Sequence, residues 1–266
     1  MNITLQTGEF KEIADRLLNN YRVVLGKERW EIVDLEIYYY GIIQNPKSSA
    51  NKDYILHYDP YAKCFSPYSN TQTKTKQRNS NITVTKNKIY INVSEELGYG
   101  AIVINAIKSR EDNKLIEGKK LVASKFIKML FGNENGKFEN KCIDLNTGFV
   151  KCKKEYLEFT ASPRYNLTNC KYIYQNPENY LQFAMKNYRF TTSNKLTKGK
   201  FLIKIAEFLA CSSEVRRNDL LSSNPSLSYW LQMYNMGRIL NTLDKFKNLS
   251  LSATQHQCEL YGYFDR

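Results

Sequence analysis

The run Trp30-Glu31-Ile32-Val33-Asp34-Leu35-Glu36-Ile37-Tyr38 constrains this chain more than any other segment. Apolar and acidic residues alternate along it, and a β-strand sends successive side chains to opposite faces. Val33, Leu35 and Ile37 therefore share one face, which must be buried. Asp34, Glu36 and Tyr38 share the other. Two carboxylates and a phenol beside a buried face fit a polar pocket walled by protein. They fit also an amphipathic edge strand whose acidic face is solvated, and the pattern alone favours that second reading.

Around this strand the periodicities change. Phe10, Ile13, Ala14 and Leu17 recur at helical spacing, which predicts a helix over 10–20. Tyr21–Leu25 reads as a strand, joined to the acidic strand by a Gly26-Lys27-Glu28-Arg29 turn. Ile89–Val93 and Ala101–Ile107 read as two more strands, and Leu115–Leu130 as an amphipathic helix. Shorter strands are expected around Phe149, Phe159, Tyr172 and Tyr188. From Lys200 onward the pattern is helical, with helices over 201–210, 215–221 and 227–246. The expected fold class is α+β: a curved, mostly antiparallel β-sheet flanked by helices, plus a small C-terminal helical unit. A boundary near 195 divides a main domain (1–195) from a helical extension (196–266). That extension reads either as a cap on the main domain or as a helix-turn-helix-like DNA reader.

Charge narrows the partners. The 266 residues carry 39 Lys and Arg against 26 Asp and Glu, a net charge of +13, and an excess of this size favours a polyanion. Nucleic acid is the commonest one. Tyr, 20 of them against 13 Phe and 2 Trp, offers flat stacking faces with a polar tip. The segment 71–88 holds Lys74, Lys76, Arg78, Lys86 and Lys88 and no acid, which suits phosphate contacts without sequence preference. No run is apolar enough to span a bilayer, so no membrane partner is expected. The N-terminus lacks the basic-then-apolar pattern of a signal, and a cytoplasmic, DNA-associated, monomeric protein is expected. Cysteines at 64, 142, 152, 170, 211 and 258 include no Cys-x-x-Cys pair, and His57 and His256 lie far apart. Free thiols are expected, with no metal and no cofactor.

Several short segments, in order, resemble the alkyladenine (3-methyladenine) DNA glycosylase family. Ala14-Asp15-Arg16-Leu17-Leu18 is similar to its opening helix. Ile32-Val33-Asp34-Leu35-Glu36-Ile37-Tyr38 resembles its Ile-Val-Glu-Thr-Glu-Ala-Tyr strand. Arg78-Asn79, Asn92-Val93-Ser94, Gly100-Ala101-Ile102-Val103-Ile104, Ser162-Pro163-Arg164 and Tyr188-Arg189-Phe190 resemble later elements, over residues 10–193. The resemblance implies a monofunctional, metal-independent glycosylase of base excision repair. Such an enzyme flips a modified base out of double-stranded DNA and hydrolyses its N-glycosidic bond. Glu36 would be the general base, Tyr38 and His57 would sandwich the extruded base, and Asn92 would orient base or sugar.

Three departures accompany the resemblance. His57 follows Glu36 at a longer spacing than in the family. The hairpin that should carry an aromatic wedge has the tip Thr85-Lys86-Asn87-Lys88. Asn105 or Lys108 stands where the family has an arginine. These point to a larger or more polar modified base than an alkylpurine. Two other readings fit the same residues: a non-catalytic nucleic-acid-binding module, and a Mg-dependent nuclease using Asp34 and Glu36 as oxygen ligands.

Overall fold

One long strand, β2 (Glu28–Gln44), organises the first part of the chain. It follows helix α1 (Phe10–Asn20) and strand β1 (Tyr21–Leu25). The computed structural model describes residues 3, 5, 9–44, 54–65, 81–132, 141–152, 155–169, 176–193 and 195–266. α1 buries Phe10, Ile13, Ala14, Leu17 and Leu18, the stripe its spacing predicts. Gly26, at φ +62°, carries the tight β1–β2 turn in a conformation that glycine adopts without penalty.

The strands that follow complete a curved antiparallel sheet: β3 (Tyr54–Tyr58), β4 (Asn81–Val84), β5 (Ile89–Glu95), β6 (Gly98–Ser109) and β7 (Leu115–Glu117). After helix α2 (Lys119–Phe131), β8 (Lys141–Asp144), α3 (Leu145–Gly148) and β9 (Phe149–Lys151) close the run. The hydrogen-bonded order is β2-β6-β5-β4-β8, with β1 and β3 also on β2, β9 on β1 and β7 on β6. The expectation of a helix from residue 115 is corrected. Residues 115–117 are a strand, and Gly118 at φ +111° turns the chain before α2 begins.

Register fixes the two faces, because directly paired residues share a face. On one face runs the row Ile37–Ile102–Ile91–Ile82–Ile143, next to Leu35–Ile104–Ile89–Val84. Nearly all of these are fully buried, and at roughly 25 cal/mol per Å2 of apolar area such rows supply the main drive for this sheet. On the other face Glu36 pairs with Val103, which pairs with Tyr90 and then Thr83. Beside it Tyr38 pairs with Ala101 and then Asn92. Glu36, Tyr38, Tyr90, Asn92 and Thr83 are buried as well. β2 is thus a central strand with both faces covered, and the solvated-edge reading of its acids is excluded.

Two compact units make up the chain: Met1–Phe159 with Phe190–Asn194, and Thr160–Arg189 with Lys195–Arg266. The break expected at 195 coincides with the last of these crossings, while residues 160–189 group with the helical unit too. That second unit holds α4 (Pro177–Ala184), α5 (Lys200–Ala210), α6 (Glu214–Ser223), α7 (Leu227–Arg238) and α8 (Thr254–Phe264). The sequence pattern missed α4, although Asn176 caps it by accepting from the Asn179 N–H and Pro177 stands at its start. It missed α8 also, and it ran α7 past Arg238. α7 and α8 cross at glycines: a Cβ on Gly237 would lie 1.9 Å from the Glu259 carbonyl oxygen, and one on Gly262 1.9 Å from that of Tyr234. No helix among the described residues is long and apolar enough to cross a membrane.

Two measurements check this packing. A Cβ at Gly100 would stand 2.1 Å from the Tyr38 carbonyl oxygen, whereas one at Gly148 meets only Ile82 Cδ1 at 3.9 Å. Gly100→Ala is expected to lower urea-unfolding stability by about 1–3 kcal/mol, and Gly148→Ala to change it much less; equal effects would contradict the packing. In the helical unit, burial pushes the Cys258 thiol up from 9.0 to about 12. Burial, with the Asp265 carboxylate, also raises the Tyr234 and Tyr261 phenols. The unfolded chain therefore loses these protons first. Stability of this unit is full below pH 9 and declines as pH rises toward 12, which thermal melts across that window would show. A flat profile would mean that these groups ionise alike in both states.

Candidate active site around Glu36 and Lys119

A pair of reciprocal irregularities shapes the sheet beside Glu36. Between Ile32 and Asp34 the register slips at Val33 on β2, and between Asp34 and Leu35 it slips back at Asn105 on β6. Each bulged residue leaves a backbone carbonyl outside the β2–β6 ladder, and both are used. Val33 O accepts from Thr191 Oγ1 at 2.8 Å and from the Thr192 N–H at 3.0 Å. Asn105 O accepts from the Gly118 N–H at 2.7 Å. That second bond pins the turn directly before Lys119, so a bulge in one strand sets where the first residue of α2 stands. The Asn105 Oδ1 is itself buried, with no hydrogen-bond partner among the described residues.

Lys119 reaches Glu36. Its Nζ donates to Glu36 Oε2 at 2.7 Å, and Tyr38 donates its phenolic O–H to the same oxygen at 2.5 Å. Lys119 Nζ also lies 3.3 Å from the Tyr38 oxygen, closing a three-way cluster. The Glu36 side chain is 1% exposed and that of Lys119 34%. An ammonium at a helix N-terminus opposes the helix dipole, and no acid stands in the first turn of α2 to offset it. The buried carboxylate supplies that offset. Two charge-assisted donors on one oxygen favour the ionised form of Glu36.

Aromatic rings complete the surroundings. A 3-10 helix, Pro60–Phe65, is started by Asp59, whose Oδ1 accepts from the Tyr61 N–H at 3.0 Å. It sets Phe65 against Tyr38 (centroids 5.2 Å apart, 49° between planes) and against Tyr90 (4.9 Å, 66°). Tyr40 continues the Tyr38 face, stacked between Tyr58 at 4.7 Å and Tyr99 at 5.5 Å.

The expected site residues separate into groups. Glu36, Tyr38 and Asn92 share one face, as expected, and Asn92 Nδ2 donates to Thr83 Oγ1 at 2.6 Å. His57 does not join them, and its expected place opposite Tyr38 is corrected. It pairs in register with Gly41, one residue out of phase with Tyr40. That parity sends its ring to the opposite face, edge-on to Phe10 at 5.3 Å and near Tyr39 at 6.2 Å. Phe65 is a ring that meets Tyr38. Lys86 is exposed at the β4–β5 hairpin tip, where Thr85 Oγ1 accepts from the N–H groups of Asn87 and Lys88. Lys88 turns back over the rings of Phe65 and Tyr90, at 4.0 and 5.4 Å. Lys74, Lys76 and Arg78 lie outside the described residues. Asp34 is fully buried. Among the described residues no three of His, Cys, Asp and Glu converge as a metal-binding group would. Lys119 and Phe65 escaped sequence reasoning. The one signal for Lys119 was a Gly-Lys-Lys helix start without an acid.

Removing the Lys119 ammonium leaves the Glu36 charge buried and undercompensated. Lys119→Met is expected to cost about 1–3 kcal/mol, less than a fully buried pair because solvent screens part of the interaction. Glu36→Gln in the same chain should recover much of that loss in a double-mutant cycle read by urea unfolding. Simple additivity of the two changes would mean that the pair is not coupled.

Compared with protein-family models and with curated proteins, the chain matches none.

Proposed function

We propose that this chain is a monofunctional DNA glycosylase, acting on a modified base in double-stranded DNA. The observation that carries the proposal is a buried carboxylate, Glu36, held between a phenol and an ammonium on a face that also presents Tyr38, Phe65 and Tyr90. Hydrolysis of an N-glycosidic bond needs a carboxylate near C1′. There it stabilises the oxocarbenium-like charge and takes a proton from the attacking water. A carboxylate does this only when ionised, and Lys119 favours that form. The Tyr38 hydroxyl, bonded to the same oxygen, fixes the rotamer.

Extruding a base from the duplex costs a few kcal/mol, and stacking on aromatic faces offsets it. Tyr38, Phe65 and Tyr90 supply such faces in this reading, with Asn92 placed to address base or sugar. His57 has no part in it. The net charge of +13 and the exposed Lys86 favour the phosphate backbone irrespective of sequence. Lys119 serves a second purpose: its side chain, a third exposed, lets the ammonium follow negative charge onto the departing base. The nuclease reading is weaker here, because a phenol and an ammonium already bond Glu36 Oε2, and the ammonium offsets the charge that would attract a cation. A non-catalytic binding module remains the alternative in which the Glu36–Lys119 pair is structural only.

The test incubates wild type and Glu36→Gln, in EDTA, with duplexes carrying a panel of modified bases, then reveals abasic sites with mild alkali. Wild type is expected to release one class of base and Glu36→Gln to do so about 10²- to 10⁴-fold more slowly. Equal rates would remove Glu36 from catalysis. Intact DNA binding with no release across a wide panel would leave the binding module.

A further inference from the structure

Lys88 does not sit as a phosphate-binding lysine should. Such a side chain works hydrated, and Lys86, two residues earlier at the hairpin tip, is exposed. Lys88 instead lays its amine over Phe65 at 4.0 Å and Tyr90 at 5.4 Å. Tyr90 belongs to the cross-strand row of Glu36 and Val103, and Phe65 leans on Tyr38. The amine therefore stands on the aromatic wall that Glu36, Tyr38 and Lys119 share. Its polar neighbour is the Cys64 thiol, with Nζ 3.7 Å from Sγ.

The surroundings work on the Lys88 proton in two senses. Burial against the rings is the larger influence and holds the amine below its ordinary value. Cys64 opposes this, and the charge of Lys119 reinforces it. An amine desolvated in an apolar setting beside a second ammonium is the arrangement that turns lysine into a carbonyl nucleophile. Lys119 is placed otherwise: its Nζ bonds the Glu36 carboxylate at 2.7 Å.

We propose that Lys88 is an amine nucleophile that captures the abasic sugar left in this site as a Schiff base. The proposal rests on the glycosylase reading, since that reaction supplies the aldehyde. Base hydrolysis leaves a hemiacetal at C1′, in equilibrium with its ring-opened aldehyde. The Nζ lone pair adds to C1′, the carbonyl π electrons move to oxygen, and a proton passes from nitrogen to that oxygen. The resulting carbinolamine takes up a proton and loses water as the nitrogen lone pair forms the C=N⁺ bond. Addition of water reverses the sequence and frees both partners. No oxidant or reductant takes part. The consequence is retention of a reactive product at the site until water releases it.

The full-length chain is mixed with a duplex carrying one natural abasic site and with the tetrahydrofuran analogue, which has no aldehyde, in the presence of borohydride. Wild type is expected to form a denaturant-resistant adduct with the natural site and none with the analogue, and peptide mass mapping should locate the sugar on Lys88. Lys88→Arg should lose the adduct while still binding the analogue duplex, which reports a folded protein. Lys125→Arg, whose parent residue pairs with Glu28, should retain it. Adduct formation by Lys88→Arg at the wild-type level, or none by wild type, overturns the proposal. Base release is scored separately. Release without an adduct removes the amine nucleophile alone, and an adduct through Lys88 without release from any modified duplex removes the glycosylase reading alone.

Discussion

The contact between Glu36 and Lys119 is the interaction on which the rest of the site depends. A carboxylate that is 1% exposed would be expensive to keep charged without a partner. The chain supplies one from 83 residues away, through a specific piece of backbone. The slip at Asn105 frees a carbonyl, the carbonyl holds Gly118, and Lys119 follows. Each step is a hydrogen bond or a backbone angle, so the ammonium is positioned by the sheet itself rather than by a free loop. Bulges in β-sheets commonly re-aim a side chain next to a functional group. Here the irregularity in one strand re-aims a residue of another element.

The same arrangement explains why the site lies where it does in the sheet. The isoleucine-rich face supplies apolar burial, and its pairing rows leave little freedom of register. A one-residue slip of β2 against β6 would bury Glu36 among isoleucines and turn Leu35 and Ile37 toward Tyr90 and Asn92. The apolar rows therefore fix the polar face as strictly as they fix themselves. Gly100, facing the backbone of Tyr38 and Tyr39, lets the strands come together where the aromatic cluster begins.

Much of the architecture could be read from residue patterns, because it depends on local periodicity. α1, β2, β5 and α5 carry a period of 3.6 or 2, and β6 reads as a short, nearly continuous apolar run. What escaped depends on pairing at a distance. Nothing local marks Val33 or Asn105 as bulged, since a bulge is a mismatch between two strands and not a property of either. Residues 115–117 carry an apolar pattern that extends the α2 stripe, and only pairing with β6 makes them a strand. For the candidate site the same division holds. The alternation that put Glu36 and Tyr38 together is local and survives. His57 was assigned by order along the chain, but its face is set by pairing with Gly41, which order cannot reveal. Lys119 and Phe65 meet Glu36 and Tyr38 only through the fold.

Lys86 and Lys88 show how far composition can carry an inference about charge. Both belong to one acid-free basic segment, and as sequence they are equivalent phosphate ligands. The hairpin separates them: its turn exposes Lys86 and sends Lys88 back over two rings. A net charge of +13 is a property of the whole surface, and it concerns attraction to a polyanion at long range. Reactivity is a property of one amine and its immediate solvation. Where a strand end turns a lysine inward against aromatic faces and beside another ammonium, the two properties part, and the residue serves chemistry rather than affinity.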